Sequence, residues 1–137
     1  DAVSRAGAQG LMQLMPATAR DVARAYKISH TPSRLSESDY NLRLGQAYLR
    51  DLLGDFQGSY VLTLAAYNAG PKRAREWMKA HGDPRGTIED MIDWIEMIPY
   101  DETRNYVQRV MENLQVYRLK FNGGSHDAAI AERDLKR

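Results

Sequence analysis

Ser4 to Ala19 reads SRAGAQGLMQLMPATA. Gly7 and Gly10 flank Ala8 and Gln9, and two glycines so close together disfavour a helix. The apolar run behind them, Leu11 to Met15 with Gln13 inside it, is too short to settle as a helix. The stretch therefore reads as a turn followed by an extended, hairpin-like segment. Pro16 suits the first position of a helix, where its missing N–H costs nothing. Ala19, Val22, Ala23 and Tyr26 follow it at helical spacing.

Outward from this segment the pattern is helical. Ser29 to Ser36, with Pro32 inside, reads as a loop, and Ser38 or Asp39 can cap the next helix. Leu44, Ala47, Tyr48 and Leu52 form that helix's apolar stripe, with Gly54 as its stop. Gly58-Ser59 opens an apolar helix, Tyr60 to Ala69, which Gly70-Pro71 closes. A short helix spans about Ala74 to Ala80. Thr87 caps another that runs to Glu96, with Glu89 and Asp90 in the first turn where the helix dipole favours them, and Pro99 breaks it. A long helix from about Glu102 to Phe121 sets Tyr106, Val107, Val110, Met111, Leu114, Tyr117 and Phe121 on one face. Gly123-Gly124 ends it, and a polar tail follows from Ser125, in which Ala128 to Leu135 could form a short helix. The reading is a mainly α domain with a small extended or β segment near its N-terminus, residues 1–124, and a polar tail, 125–137.

The 137 residues suffice for one domain with a core, and 43% hydrophobic with 27% charged residues is ordinary for a globular protein. A net charge of +1 makes no electrostatic case for nucleic acid. The chain has no cysteine, so disulfides, thiolate nucleophiles and cysteine zinc sites are excluded. His30, His81 and His126 are scattered without metal-ligand spacing, and Gly7 and Gly10 lack a nucleotide fingerprint. No apolar run is long enough to span a bilayer, and no signal peptide opens the chain. Asp1-Ala2-Val3-Ser4, without an initiator methionine, reads as a chain begun partway through.

Three segments taken together resemble the soluble lytic transglycosylases, a family with a lysozyme-like fold. They are SRAGAQGLMQLMPATA (Ser4 to Ala19), AAYNAGPKR (Ala65 to Arg73) and IEMIPYDETRNYVQRV (Ile95 to Val110). They stand in the family's order and at about its spacing. The resemblance implies non-hydrolytic cleavage of the β-1,4 bond between N-acetylmuramic acid and N-acetylglucosamine in peptidoglycan, leaving a 1,6-anhydro end. It implies no cofactor and no metal, glycan strands as partner, and a periplasmic or cell-envelope location. In the family one glutamate acts as acid and then as base, and it belongs to a Glu-Ser pair a few residues before the stretch matching Asp1 to Ser4. The first glutamate here is Glu37, in a polar loop outside the motifs. The expectation is therefore that the catalytic acid, and the helix carrying it, lie upstream of Asp1. These residues would then be inactive alone.

For the remaining motif positions the resemblance implies contact with the sugar, and each has a plainer alternative. Ser4 is near the catalytic acid or is a turn residue; Gln13 binds sugar or faces water from an alternating strand; Met15 lines the cleft or packs in the core. Tyr67 faces the cleft or is a core tyrosine with a wet hydroxyl, and Asn68 supports it or caps a helix. Glu96, a carboxylate within an apolar stretch, lies in the groove or at a solvated helix end. Tyr106 reaches the cleft or packs. Glu102 reads as a helix-dipole residue, Arg104 as locally paired, and Trp77 and Trp94 as packing rather than sugar-stacking residues. The rival functions are a non-catalytic peptidoglycan-binding module and a helical scaffold without a sugar site.

Overall fold

The structure is a computed structural model that describes residues 3–10 and 12–122. The polar tail and the Gly123-Gly124 stop lie outside those residues. Among the described residues there are six α-helices: α1 (Pro16–Ala25), α2 (Ser38–Asp55), α3 (Tyr60–Ala69), α4 (Pro71–His81), α5 (Ile88–Glu96) and α6 (Asp101–Asn122). None of them is long and apolar enough to cross a membrane. The chain divides into two compact units, residues 1–51 and 52–137, with α2 running from the first into the second.

The first unit opens with the hairpin. Gln9 pairs antiparallel with both Val3 and Leu14, as isolated bridges rather than full strands. The Gln9 N–H donates to Leu14 O at 2.8 Å and the Leu14 N–H returns to Gln9 O at 3.0 Å. Gly10 (φ +76°) and Gln13 (φ +49°) bend the chain between them. Leu14 then turns inward, 2% exposed, and Ala19, Val22 and Ala23 of α1 are buried as well. Where the sequence reads as a plain loop, Pro32–Ser36 forms a 3-10 turn that packs on α1 and buries Leu35. Tyr40, Asn41, Leu44 and Ala47 bring the buried face of α2 to the same core.

The second unit is built around α3. Ser59 caps it by accepting the Leu62 N–H at 3.2 Å, and Val61, Leu62, Thr63, Ala65 and Ala66 are all buried. A helix so apolar on most sides belongs at the centre of a core, and α3 packs against both α4 and α6. Gly54 does not stop α2, which runs on to Asp55; the left-handed positions that turn the chain are Gln57 and Gly58. Gly70 at φ +99° ends α3, and Pro71 starts α4, so α4 is longer than the Ala74–Ala80 stretch legible from spacing. Trp77, Met91, Trp94, Ile95, Ile98, Val107 and Met111 complete this core.

Candidate functional site

Ser4, Gln13 and Met15 belong to the first unit. Ser4 closes a tight turn: its N–H donates to Ala8 O at 2.9 Å, and its hydroxyl accepts the Ala8 N–H at 3.0 Å. Gln13 is exposed, but it stands in the hairpin turn rather than on an alternating strand. Its backbone N–H and its side-chain Nε2 both donate to Gly10 O, at 3.1 and 2.8 Å. Met15 is 41% exposed at the N-cap of α1.

The turn that carries Gln13 is held by Asn41, a residue the sequence motifs do not single out. Its Nδ2 donates to Gln9 O (2.8 Å) and Leu35 O (2.9 Å), and its Oδ1 accepts the Met12 N–H (2.6 Å). The side chain is fully buried, and its amide hydrogens and oxygen are all engaged. One helical turn on, Gly45 leaves room for Met12: a Cβ there would lie 2.5 Å from Met12 Cγ. A Cβ on Gly10 would lie 2.4 Å from Asn41 Nδ2.

Tyr67, Asn68, Glu96 and Tyr106 belong to the second unit. Tyr67 is half-buried near the end of α3. Asn68 does not cap that helix; Gly70 does, and Asn68 Oδ1 accepts the hydroxyl of Thr103 from α6 at 2.7 Å. Glu96 is the exposed last residue of α5 and accepts Nε2 of Gln108 at 2.9 Å, which ties it to α6. Tyr106 is half-buried, and burial raises its phenol above the usual tyrosine value against an opposing pull from the Arg109 charge. Thr103 and Gln108 went unread in the sequence. Both lie within the third motif, and only their partners reveal their roles.

The residues read as structural hold that place. Trp94 is 1% and Trp77 6% exposed, so neither offers a face for a sugar to stack on. Tyr100, 43% exposed, meets Trp77 edge-on at 5.2 Å and has the Arg73 guanidinium over its ring at 5.7 Å. Arg104 donates to Ile98 O (3.0 Å) and to Asp101 (2.5 Å). Glu37 pairs with Arg34 at 3.0 Å in the open. Among the described residues no cluster of histidines or carboxylates could hold a metal ion. A concavity of about 370 Å³, lined by Lys27, Ile28, Ser29, Arg34, Asp39, Tyr40 and Arg43, includes none of the motif residues.

The family model of the transglycosylase SLT domain covers residues 1–88, and that of the soluble lytic transglycosylase helical domain covers residues 97–126. The chain is 38% identical over 136 residues to the soluble lytic murein transglycosylase of Salmonella typhimurium, spanning 98% of this chain and 20% of that protein. An inactive mutant of lytic transglycosylase Slt from Pseudomonas aeruginosa superposes with a TM-score of 0.77 at 44% identity, over 91% of this chain and 20% of that one. The 70-kDa soluble lytic transglycosylase of Escherichia coli superposes with a TM-score of 0.77 at 34% identity, over 90% of this chain and 19% of that one. The chain therefore spans about a fifth of the length of these relatives. With a mainly helical, lysozyme-like fold and a family model matched over most of its length, the chain belongs to the transglycosylase SLT domain family.

Proposed function

We propose that the protein containing this chain is a peptidoglycan lytic transglycosylase of the cell envelope, which cleaves the N-acetylmuramic acid–N-acetylglucosamine bond of glycan strands. The observation that carries this reading is the match of residues 1–88 to the transglycosylase SLT domain. In the proposed reaction a glutamic acid protonates the glycosidic oxygen as the bond from C1 to that oxygen breaks. The resulting carboxylate then removes the proton of the C6 hydroxyl, whose oxygen closes onto C1 as a 1,6-anhydro ring. One group thus serves as acid and base, and no second carboxylate is needed to position water, unlike the usual glycosidase pair.

No glutamate of residues 1–137 stands in the motif position for that acid. Glu37 is taken up by Arg34 on an exposed turn, and Glu96 by Gln108. We take the acid to lie elsewhere in the protein and residues 1–137 to be inactive alone. Ser4, Gln13, Met15, Tyr67, Asn68, Glu96 and Tyr106 are assigned to glycan contact or to its support. Sugar sites combine a few placed polar groups with apolar surface, and exposed Gln13 and Met15 supply one of each.

The test is a digest of purified peptidoglycan read by mass spectrometry. The full-length protein should release 1,6-anhydro ends. Reducing ends formed with water would make it a hydrolase, and tight glycan binding without cleavage would make it a binding module; either overturns the proposal. Residues 1–137 alone should give no product above a boiled control. Anhydro ends from them would place the acid within this chain.

A further inference from the structure

Asn41 lies in the first turns of α2, 29 residues from Met12 and 32 from Gln9, yet it bonds both. A buried amide with every group engaged is a rigid fixture, because losing any one partner strands a polar atom away from water. The fixture acts on the turn from three sides. Nδ2 holds Gln9 O, the carbonyl that also closes the hairpin with Leu14; Oδ1 holds the Met12 N–H; and Gly10 passes so close that no side chain fits between. Met12 is seated over Gly45, one helical turn further along the same face of α2. Gln13 follows Met12 directly and hangs its own amide on Gly10 O. Its exposed side chain thus hangs on a turn whose two flanking residues, Gln9 and Met12, are bonded by Asn41.

We propose that Asn41 is a positioning residue for substrate: through the Gly10–Gln13 turn it fixes where Gln13 meets the glycan, and Gly45 assists by seating Met12. This rests on the function proposed above. A contacting group already held in its bound geometry loses less freedom on binding, so a turn anchored by its backbone suits a residue that must keep one geometry. Asn41 touches no substrate in this scheme and takes no part in proton transfer.

The experiment uses the full-length protein and soluble glycan strands, with Gln13→Ala, Asn41→Asp, Gly45→Ala and the double variant Gln13→Ala/Asn41→Asp. Asn41→Asp keeps the shape and the acceptor for Met12 but loses the donors to Gln9 and Leu35. Gly45→Ala improves helix propensity, so it should fold while its Cβ displaces Met12. Each single variant should raise KM about tenfold, the worth of about one hydrogen bond, with kcat within about twofold as for lost uniform binding. The double variant should be no worse than Gln13→Ala alone, because the effect of Asn41 passes through Gln13. A purely structural Asn41 would instead multiply with Gln13→Ala, or lower kcat in step with the folded fraction; either result overturns the proposal, as does an unchanged KM in Asn41→Asp. Hydrogen exchange of the Leu14 amide, which bonds the Gln9 carbonyl that Nδ2 holds, tests the anchor by itself when read without substrate. Protection should fall in Asn41→Asp, and retained protection overturns the anchor whatever the activity shows. A wild-type protein without action on glycan would overturn the function above, while the exchange result still decides the anchor.

Discussion

The hydroxyl of Thr103 on α6 donates to Oδ1 of Asn68 on α3 at 2.7 Å, and Thr103 is 2% exposed. This bond links the two helices beside Tyr67, at the end of α3 where the second motif lies. Thr103→Val keeps the shape and strands Asn68; Asn68→Ala strands the hydroxyl. Each should destabilise the fold by about 1–3 kcal/mol, the cost of an unsatisfied buried group. In a double-mutant cycle read by urea unfolding, the double variant should lose less than the sum of the singles, with a coupling of about 0.5–3 kcal/mol. Strict additivity would show that the bond contributes nothing.

Gly7 and Gly10 both hold positive φ, +93° and +76°, but they differ in their surroundings. A Cβ on Gly7 meets open space, whereas one on Gly10 meets Asn41 and, at 2.9 Å, the backbone oxygen of Leu35. Gly7→Ala should cost only the backbone strain, about 1–3 kcal/mol. Gly10→Ala should cost that and about 1–3 kcal/mol more for overpacking. Thermal unfolding of the two variants separates them, and equal midpoints would refute the contact.

The capping box of α5 predicts a pH dependence. The Thr87 N–H, and then its hydroxyl, hold the Asp90 carboxyl below the usual carboxylate range. A lowered folded-state value adds stability that is fully present above the unfolded value, about 4, and is lost as pH falls through the folded value. The stability gap between wild type and Asp90→Ala should therefore be constant near neutrality and shrink as the pH drops below about 4. Unfolding midpoints from pH 7 to pH 2 check the sign, and a gap that widens in acid would contradict it.

With Trp94 at 1% exposure and Trp77 at 6%, added glycan oligomers should leave tryptophan emission unchanged. Trp94→Ala should cost about 3–5 kcal/mol in stability, as for other buried aromatic truncations. A glycan-dependent shift in emission would return a tryptophan to the sugar site.

The sequence alone was enough for features whose causes are local. Pro16, Ser59, Gly70-Pro71, the Thr87 cap and Pro99 act on their own turn of chain, so helix ends were legible from them. Periodicity likewise placed Val107 and Met111 inside and assigned both tryptophans to packing. The three motifs marked the family and the candidate contact residues. What the sequence could not reveal is which polar groups find each other across the fold. Nothing near Asn41 announces that it will anchor a turn 29 residues away, nor near Thr103 that its hydroxyl will meet Asn68, 35 residues away. For Gln13 the sequence offers a sugar-binding residue or one facing out of an alternating strand, because alternation is a local pattern; in the structure it stands in a left-handed turn anchored to a distant helix. Such bonds exist only once packed helices bring the partners within hydrogen-bond reach, and an unmet buried polar group costs enough that tertiary structure, not local propensity, decides where these side chains go.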